Sequence, residues 1–274
     1  MRQANEPFLA AVVQMTSTSS EEANWRQVQT LVERAVHLGA ELVVTPENTN
    51  FLGPHEEKVR RAEPLGGPTC AKFAHLADDL NVHLLLGSFN ERGSTPERCR
   101  NTSVLFGQEG EILAVYRKIH LFDVDVEDAV RFAESATVEP GSEVVVAETP
   151  LGSIGLSICY DLRFGELYRK LVEGGAELIA IPAAFTAVTG KAHWETLVRA
   201  RAIETQAYVL AAAQCGRHDD DGLRESHGHA MIVDPWGQVV ASVSDGPGLA
   251  LAEIDLGRVA RVRAGIPMAR HRRL

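Results

Sequence analysis

Short apolar runs alternate with stretches whose apolar residues recur every third or fourth position, and this rhythm persists along most of the chain. Leu9-Ala-Ala-Val-Val-Gln-Met15 is the first such run and predicts a strand. Val28, Leu31, Val32, Ala35 and Val36 then fall on one face of a helix, and Gly39 suits its end. Glu41–Thr45 predicts the next strand. Phe73, Leu76, Ala77 and Leu80 form a second helical stripe, with Pro68 near its first turn, and Val82–Gly87 is strand-like again. Ser103–Phe106 and Ile112–Tyr116, separated by Gly107-Gln-Glu-Gly110, read as a hairpin.

The second half repeats the rhythm. Ser153–Ile158 predicts a strand, Phe164–Glu173 a helix and Glu177–Ile181 a strand. Trp194, Leu197, Val198 and Ala202 mark a helix, and Tyr208–Ala213 a strand. His229–Val233 and Gln238–Val243, joined through Asp234-Pro-Trp-Gly237, read as a second hairpin. Continuous apolar strands fit sheets covered on both faces. The expected class is therefore α/β, a layered sandwich of two mixed sheets with helices outside. No stretch is long or polar enough to be a linker, which predicts one domain over residues 1–274. The final stretch, 258–274, differs: it carries Arg258, Arg261, Arg263, Arg270, Arg272 and Arg273, interrupted by Pro267. It reads either as a solvated tail or as a basic arm laid across a partner subunit's acidic surface.

With 274 residues and 45% hydrophobic content, the chain can bury a sizeable core. A net charge of −10 argues against a nucleic-acid or anionic-membrane surface. No run approaches the roughly 18 apolar residues of a membrane span, and Met1-Arg-Gln-Ala-Asn-Glu-Pro7 lacks the apolar core of a signal peptide. Cys70, Cys99, Cys159 and Cys215 neither form a disulfide framework nor pair as Cys-x-x-Cys. The reading is a reduced, cytoplasmic protein without nucleic-acid or membrane partners.

Three strand ends carry candidate chemistry. Glu41–Thr45 delivers Glu47, Ile112–Tyr116 delivers Arg117 and Lys118, and the run ending at Ile158 delivers Cys159. The crevice outside strand carboxyl ends is the usual binding place of an open α/β sheet. A carboxylate, an ammonium and a thiol there are the parts of a cysteine hydrolase that uses no histidine. Glu47 is placed to accept the thiol proton. Lys118, as an ammonium, would hold the oxygen of a tetrahedral intermediate together with the Tyr160 backbone N–H. Each residue alone also has an inert explanation: a small buried hydrophobe, a turn carboxylate, a surface charge. Gly155-Leu-Ser-Ile-Cys159 misses the Gly-x-Ser-x-Gly elbow at its last position. His227-Gly-His229 is a weak metal signal, and no Gly-rich phosphate loop is present. Neither a metal nor an organic cofactor is expected.

Thr45-Pro-Glu47, Tyr116-Arg-Lys-Ile-His-Leu-Phe122 and Ser157-Ile-Cys-Tyr-Asp-Leu-Arg-Phe164, in this order, resemble the motifs of the nitrilase superfamily of carbon–nitrogen hydrolases. The resemblance covers nearly the whole chain. It implies a four-layer αββα sandwich, a Glu47–Lys118–Cys159 triad, and a homodimer joined through outer helices. It also implies a second glutamate between the lysine and cysteine motifs. Glu134, in Arg131-Phe-Ala-Glu-Ser135, fits that position better than Glu139 or Glu143, because a serine follows it.

Ala184-Phe-Thr-Ala-Val-Thr-Gly190, His193-Trp-Glu195, Ala211-Ala-Ala-Gln-Cys-Gly-Arg-His218 and Val233-Asp-Pro-Trp-Gly237 resemble the deaminated glutathione amidase branch. Omega-amidases acting on 2-oxoglutaramate are its close cousins. Gly165 and Lys191 stand where many relatives carry proline. The resemblance implies a small-molecule amide substrate, 2-oxoglutaramyl-cysteinylglycine, cleaved through a thioester. A catalytically silent scaffold is the non-enzyme alternative. For the substrate's 2-oxo-acid carboxylate, Arg163 is the expected cation, with Phe185 backbone groups and the Thr189 hydroxyl as further partners. An ion pair of Arg163 with Asp161 or Glu166 is the alternative. Arg217 and His218 are placed at the cysteinylglycine end.

Overall fold

The first strand accounts for the layering. In β1 (Phe8–Met15), successive side chains point to opposite faces. Ala10 and Val12 enter one core while Ala11, Val13 and Met15 enter another. A strand buried on both faces has no polar alternation to show, hence its unbroken apolar run. The protein, a computed structural model, is described over residues 6–126, 130–218 and 224–273.

Helix α1 (Glu21–His37) follows, with the Ser20 hydroxyl accepting from the Ala23 N–H and Val28, Leu31, Val32 and Ala35 on its buried stripe. Then come β2 (Ala40–Val44), α2 (His55–Arg60), α3 (Pro68–Leu80), β3 (His83–Arg92), β4 (Cys99–Phe106) and β5 (Ile112–Arg117). A small hairpin, β6 (Asp123–Val126) and β7 (Val130–Ala133), precedes β8 (Val146–Thr149) and β9 (Gly152–Leu156). Next are α4 (Gly165–Glu173), β10 (Leu178–Ala180), α5 (Ala187–Thr205), β11 (Tyr208–Ala211) and β12 (Ala213–Arg217). The chain closes with β13 (Glu225–His227), β14 (Met231–Val233), β15 (Val239–Ser242), β16 (Gly248–Ile254), α6 (Leu256–Gly265) and α7 (Met268–His271).

One sheet has the order β13–β12–β1–β2–β3–β4–β5, with β16 also antiparallel on β1. The other runs β15–β14–β11–β10–β9–β8. Val28, Val32, Phe73 and Leu76 of α1 and α3 cover the outer face of the first sheet. The inner faces meet through Ala10, Val12, Leu42, Ile179 and Leu210, and the same core continues under Leu171, Trp194 and Val198 of α4 and α5. The result is the expected αββα sandwich.

The pattern also leaves α2, β6, β7, β8, β13, α6 and α7 unread, and two further departures have a plain physical reason. Tyr208–Ala213 is not one strand: β11 lies in one sheet and β12 in the other, with the break at Ala212. Ala183 donates to the Ala212 carbonyl and accepts from Gln214, which stitches the crossing in place. Hydrophobicity cannot register a change of sheet, because both sides are buried. Strand β16, Gly248-Leu-Ala-Leu-Ala-Glu-Ile254, went unread because its only β-branched residue is the last one, Ile254. The basic C-terminal stretch, described as far as Arg273, engages its own chain. Arg258 pairs with the buried Asp234, Arg261 with Asp255 and Arg272 with Glu173, while Arg263 donates to the carbonyls of Ala176 and Gln206.

Gly87, on β3, sits against the segment that carries Glu47. A Cβ there would lie 2.0 Å from the Thr45 carbonyl oxygen and 2.3 Å from that of Pro46. Gly87→Ala is expected to cost about 3 kcal/mol of stability in urea unfolding, with activity falling alongside as the Thr45–Glu47 segment is displaced. Wild-type stability and rate in the variant would show that this close approach does not constrain the site.

Candidate active site

Cys159 follows β9 at the start of a short 3₁₀ turn, Cys159–Arg163, with a left-handed backbone (φ 47°) that non-glycine residues seldom adopt. Two contacts hold it there. The Cys159 N–H donates to the Pro182 carbonyl at 2.9 Å. Asp161, fully buried, accepts from the Ile158 N–H at 2.9 Å, the Tyr116 hydroxyl at 2.7 Å and the His120 N–H at 3.0 Å, and its Oδ1 lies 2.7 Å from His120 Nδ1. The Tyr160 N–H stands in the first turn, where no carbonyl of the turn precedes it.

Glu47 and Lys118 arrive from the ends of β2 and β5, in the opposite sheet. Lys118 Nζ donates to Glu47 Oε1 at 2.9 Å and to Glu134 Oε2 at 2.9 Å. All three side chains are at most 5% exposed. An ammonium has three protons, and the longer contact to Glu134 Oε1, at 3.2 Å, is the one a ligand would compete with. Glu47 Oε2 accepts the Ala184 N–H at 2.8 Å, and Oε1 also accepts from Asn101 Nδ2 at 2.8 Å. Glu47 also interacts with the Cys159 thiol. Its backbone carbonyl accepts from Gln214 Nε2 at 2.9 Å, so the Ala-Ala-Gln run on β12 supports it from below. Glu134 accepts the Phe122 N–H at 2.7 Å. Cys159, Glu47, Lys118 and Glu134 thus come together as expected. Asp161, Asn101 and Gln214 escaped the sequence reading, although each is a polar residue inside an otherwise apolar or motif-dense stretch.

The charges follow from these contacts. Burial pushes the Glu47 carboxyl up, but the Lys118 ammonium and the hydrogen bonds it receives hold it below the ordinary range. Burial alone would lower Lys118; Glu134 and Glu47 instead keep it charged well above its usual value. Burial and the Glu47 charge raise the Cys159 thiol well above its ordinary value, against the opposing pull of Lys118. The resting site is thus a carboxylate, an ammonium and a neutral thiol.

A model of the carbon–nitrogen hydrolases matches residues 9–264. The chain belongs to the carbon–nitrogen hydrolase family. The deaminated glutathione amidase of Bos taurus is 47% identical over 270 residues, covering 97% of this chain and 82% of its own length. The enzyme of the same name from Synechocystis is 44% identical over 274 residues, covering 97% and 98%. The C. elegans NitFhit protein superposes with a TM-score of 0.92 at 41% identity, over 99% of this chain and 66% of the worm chain. Saccharomyces cerevisiae Nit3, of branch 10 of the nitrilase superfamily, gives 0.88 at 29% identity, over 100% and 99%.

In this carbon–nitrogen hydrolase, Cys159, Glu47, Lys118, Glu134 and Tyr160 line a cavity of about 710 Å³, together with Phe185 and Thr189. Arg163 does not line it. Its guanidinium lies 5.1 Å above the Phe185 ring and reaches His193 Nδ1 at 3.3 Å. Asp161, already bonded elsewhere, and Glu166 are not its partners. Arg217 and His218 are not among the residues that line the cavity either. The Arg217 side chain is 83% exposed beside Glu225, and His218 is held between the Ser17 carbonyl and the Ser226 hydroxyl. The cations that do line the cavity besides Lys118 are Lys58, Arg131 and Arg224. Among the described residues no cluster suited to a metal ion occurs, and no helix is long and apolar enough to cross a membrane.

Cys159 alone of the four cysteines faces this cavity. Iodoacetamide, followed by peptide mass spectrometry, is expected to label it before Cys70, Cys99 and Cys215. Its labelling rate should show no inflection at the ordinary thiol value of 9.0. An inflection there would identify a free thiolate as the reacting species. Lys118→Met leaves two buried carboxylates without their counter-charge and is expected to cost about 3–5 kcal/mol. Glu47 then loses the charge that most lowers its pKa and keeps the burial that raises it, opposed only by hydrogen bonds such as that from the Ala184 N–H, so the variant's deficit should shrink from about pH 8 to about pH 5 in urea titrations. A deficit that grows on acidification would show that Glu47 does not depend on Lys118.

Proposed function

We propose that the protein is an amidase of deaminated glutathione, cleaving 2-oxoglutaramyl-cysteinylglycine to 2-oxoglutarate and cysteinylglycine. The observation that carries this reading is the Cys159 thiol, facing a cavity of substrate size beside Glu47, which accepts a hydrogen bond from a charged Lys118. Near-full-length relatives of that activity support the choice of substrate.

The reaction runs through two acyl transfers. Cys159 sulfur attacks the amide carbonyl as its proton passes to Glu47. Lys118 Nζ–H and the Tyr160 N–H hold the resulting oxyanion. The C–N bond then breaks, the electron pair leaving with nitrogen, which takes the proton from Glu47. This yields cysteinylglycine and a thioester on Cys159. Water attacks the thioester carbonyl and gives a proton to Glu47; the C–S bond breaks, and the thiolate recovers that proton. Glu134 positions Lys118 throughout. The 2-oxo-acid end lies along Phe185 and Thr189, with Arg163 above the Phe185 ring. The chain acts as a cytoplasmic homodimer joined through outer helices, a reading supported by the exposed Val188 and Ile203 of α5.

Release of 2-oxoglutarate from deaminated glutathione and from 2-oxoglutaramate tests the reading, with Cys159→Ala as control. The kcat/KM is expected to be at least roughly tenfold higher for deaminated glutathione, and lost in the variant. The reverse preference would make the protein an omega-amidase, and release from neither substrate would refute both.

A further inference from the structure

The two glutamates of the site are bridged twice. Lys118 Nζ makes one bridge, donating to Glu47 Oε1 at 2.9 Å and to Glu134 Oε2 at 2.9 Å. Asn101, on β4, makes the other: its Nδ2 donates to Glu47 Oε1 at 2.8 Å and to Glu134 Oε1 at 3.4 Å. The Asn101 backbone carbonyl also accepts the Lys118 N–H at 2.9 Å, so one residue holds the cation's backbone and both of its counter-ions. Asn101 is 3% exposed and lies outside the cavity lining, so it acts on a substrate only through its neighbours.

The orientation of its amide is informative. Asn101 Oδ1 is buried and, among the described residues, has no hydrogen-bond partner, which opposes folding. Turning the amide over would not help, because Oδ1 would then meet two carboxylate oxygens. The unpartnered oxygen is what remains when Nδ2 is committed to the carboxylates.

A carboxylate offers about two acceptor positions on each oxygen. Glu47 Oε1 gives both, to Lys118 and to Asn101. Oε2 accepts the Ala184 N–H at 2.8 Å and keeps one position open. Ala184 belongs to the loop whose Pro182 carbonyl accepts the Cys159 N–H at 2.9 Å, so Oε2 is turned toward the segment that holds the thiol.

We propose that Asn101 is the positioning residue of the general base: with Lys118 it fills Glu47 Oε1, and so reserves Oε2 to take the proton from Cys159 and return it to the leaving nitrogen. The assignment rests on the acyl-transfer reading above and deepens it. The protonated acid fits the same frame. With the proton on Oε2, Oε1 is a carbonyl-type oxygen that still accepts from both donors, whereas a proton on Oε1 would be set against both of them. Removing the amide opens Oε1 to the proton and withdraws a donor that favours the charged carboxylate.

The test follows alkylation of Cys159 by iodoacetamide against pH, which needs no substrate and so stands apart from the identity of the amide. In the wild type the rate is expected to stay level from about pH 8 to below the ordinary carboxylate value of 4.5, where Glu47 takes a proton. Asn101→Leu is expected to move that acid limb up by about one pH unit and to lower the plateau at least about tenfold. Asn101→Val, suited to a strand, answers the same question should Asn101→Leu not fold. In turnover of deaminated glutathione the loss should fall on kcat, with KM within about twofold of wild type. A limb unmoved in the folded variant overturns the proposal and leaves Asn101 as packing. A moved limb with an unchanged plateau overturns the reservation of Oε2, and a loss confined to KM makes Asn101 a substrate contact instead.

Discussion

The site depends on one ammonium. Lys118 Nζ stands 2.9 Å from a Glu47 oxygen and 2.9 Å from a Glu134 oxygen, in a cleft where all three side chains are withdrawn from water. Carboxylates buried this close repel each other, and burial alone would favour a proton on Glu47. The shared cation reverses that preference for Glu47. It also ties together segments distant in the chain: the end of β2, the end of β5 and the turn after β7. Moving any of them by an ångström would break a charge-assisted hydrogen bond in a low-dielectric setting, where such bonds are strongest.

A second tie joins the two sheets. Asp161 belongs to the turn after β9, in the six-stranded sheet, yet two of its partners, Tyr116 and His120, lie on or just beyond β5 of the other sheet. This one buried carboxylate fixes the left-handed turn at Cys159 and sets its distance from Lys118. The backbone strain at Cys159, of order 1–3 kcal/mol for such conformations, is thereby held in place by hydrogen bonds rather than by apolar packing. The two sheets are free to differ in register and curvature elsewhere; beside the thiol they are bolted together.

What the sequence disclosed follows from how local each feature is. Glu47, Lys118 and Cys159 were legible because each ends a strand whose apolar run is visible by itself. Glu134 sits in a 3₁₀ turn after a short hairpin, with no periodicity to mark it, and only motif context pointed there. Asp161 was in plain view two residues past the thiol, but its role requires Tyr116 and His120, which arrive by folding. The change of sheet at Ala212 leaves no trace in an apolar run. Lys58 is the extreme case: among His55, Glu56 and Glu57 it reads as solvent-facing, and only the docking of α2 over the cavity buries it. Arg163 shows the opposite case. Proximity in sequence to the thiol made it attractive, whereas its side chain stacks over Phe185, outside the cavity lining.

The neutral resting thiol is a consequence of the same electrostatics. An ionised Cys159 would give Lys118 a third anion to balance, in a site that already holds two, and its raised pKa expresses that cost. Chemistry therefore has to begin from thiol and carboxylate rather than from a standing thiolate. In the proposed acyl transfer this raises no barrier of its own. As sulfur's proton reaches Glu47, that carboxylate loses its charge, and the negative charge reappears on the carbonyl oxygen held by Lys118 and the Tyr160 N–H. The number of anions around the ammonium stays at two from ground state to tetrahedral intermediate. Lys118 exchanges one carboxylate for one oxyanion, so the field that keeps Glu47 ionised at rest becomes the field that stabilises the intermediate.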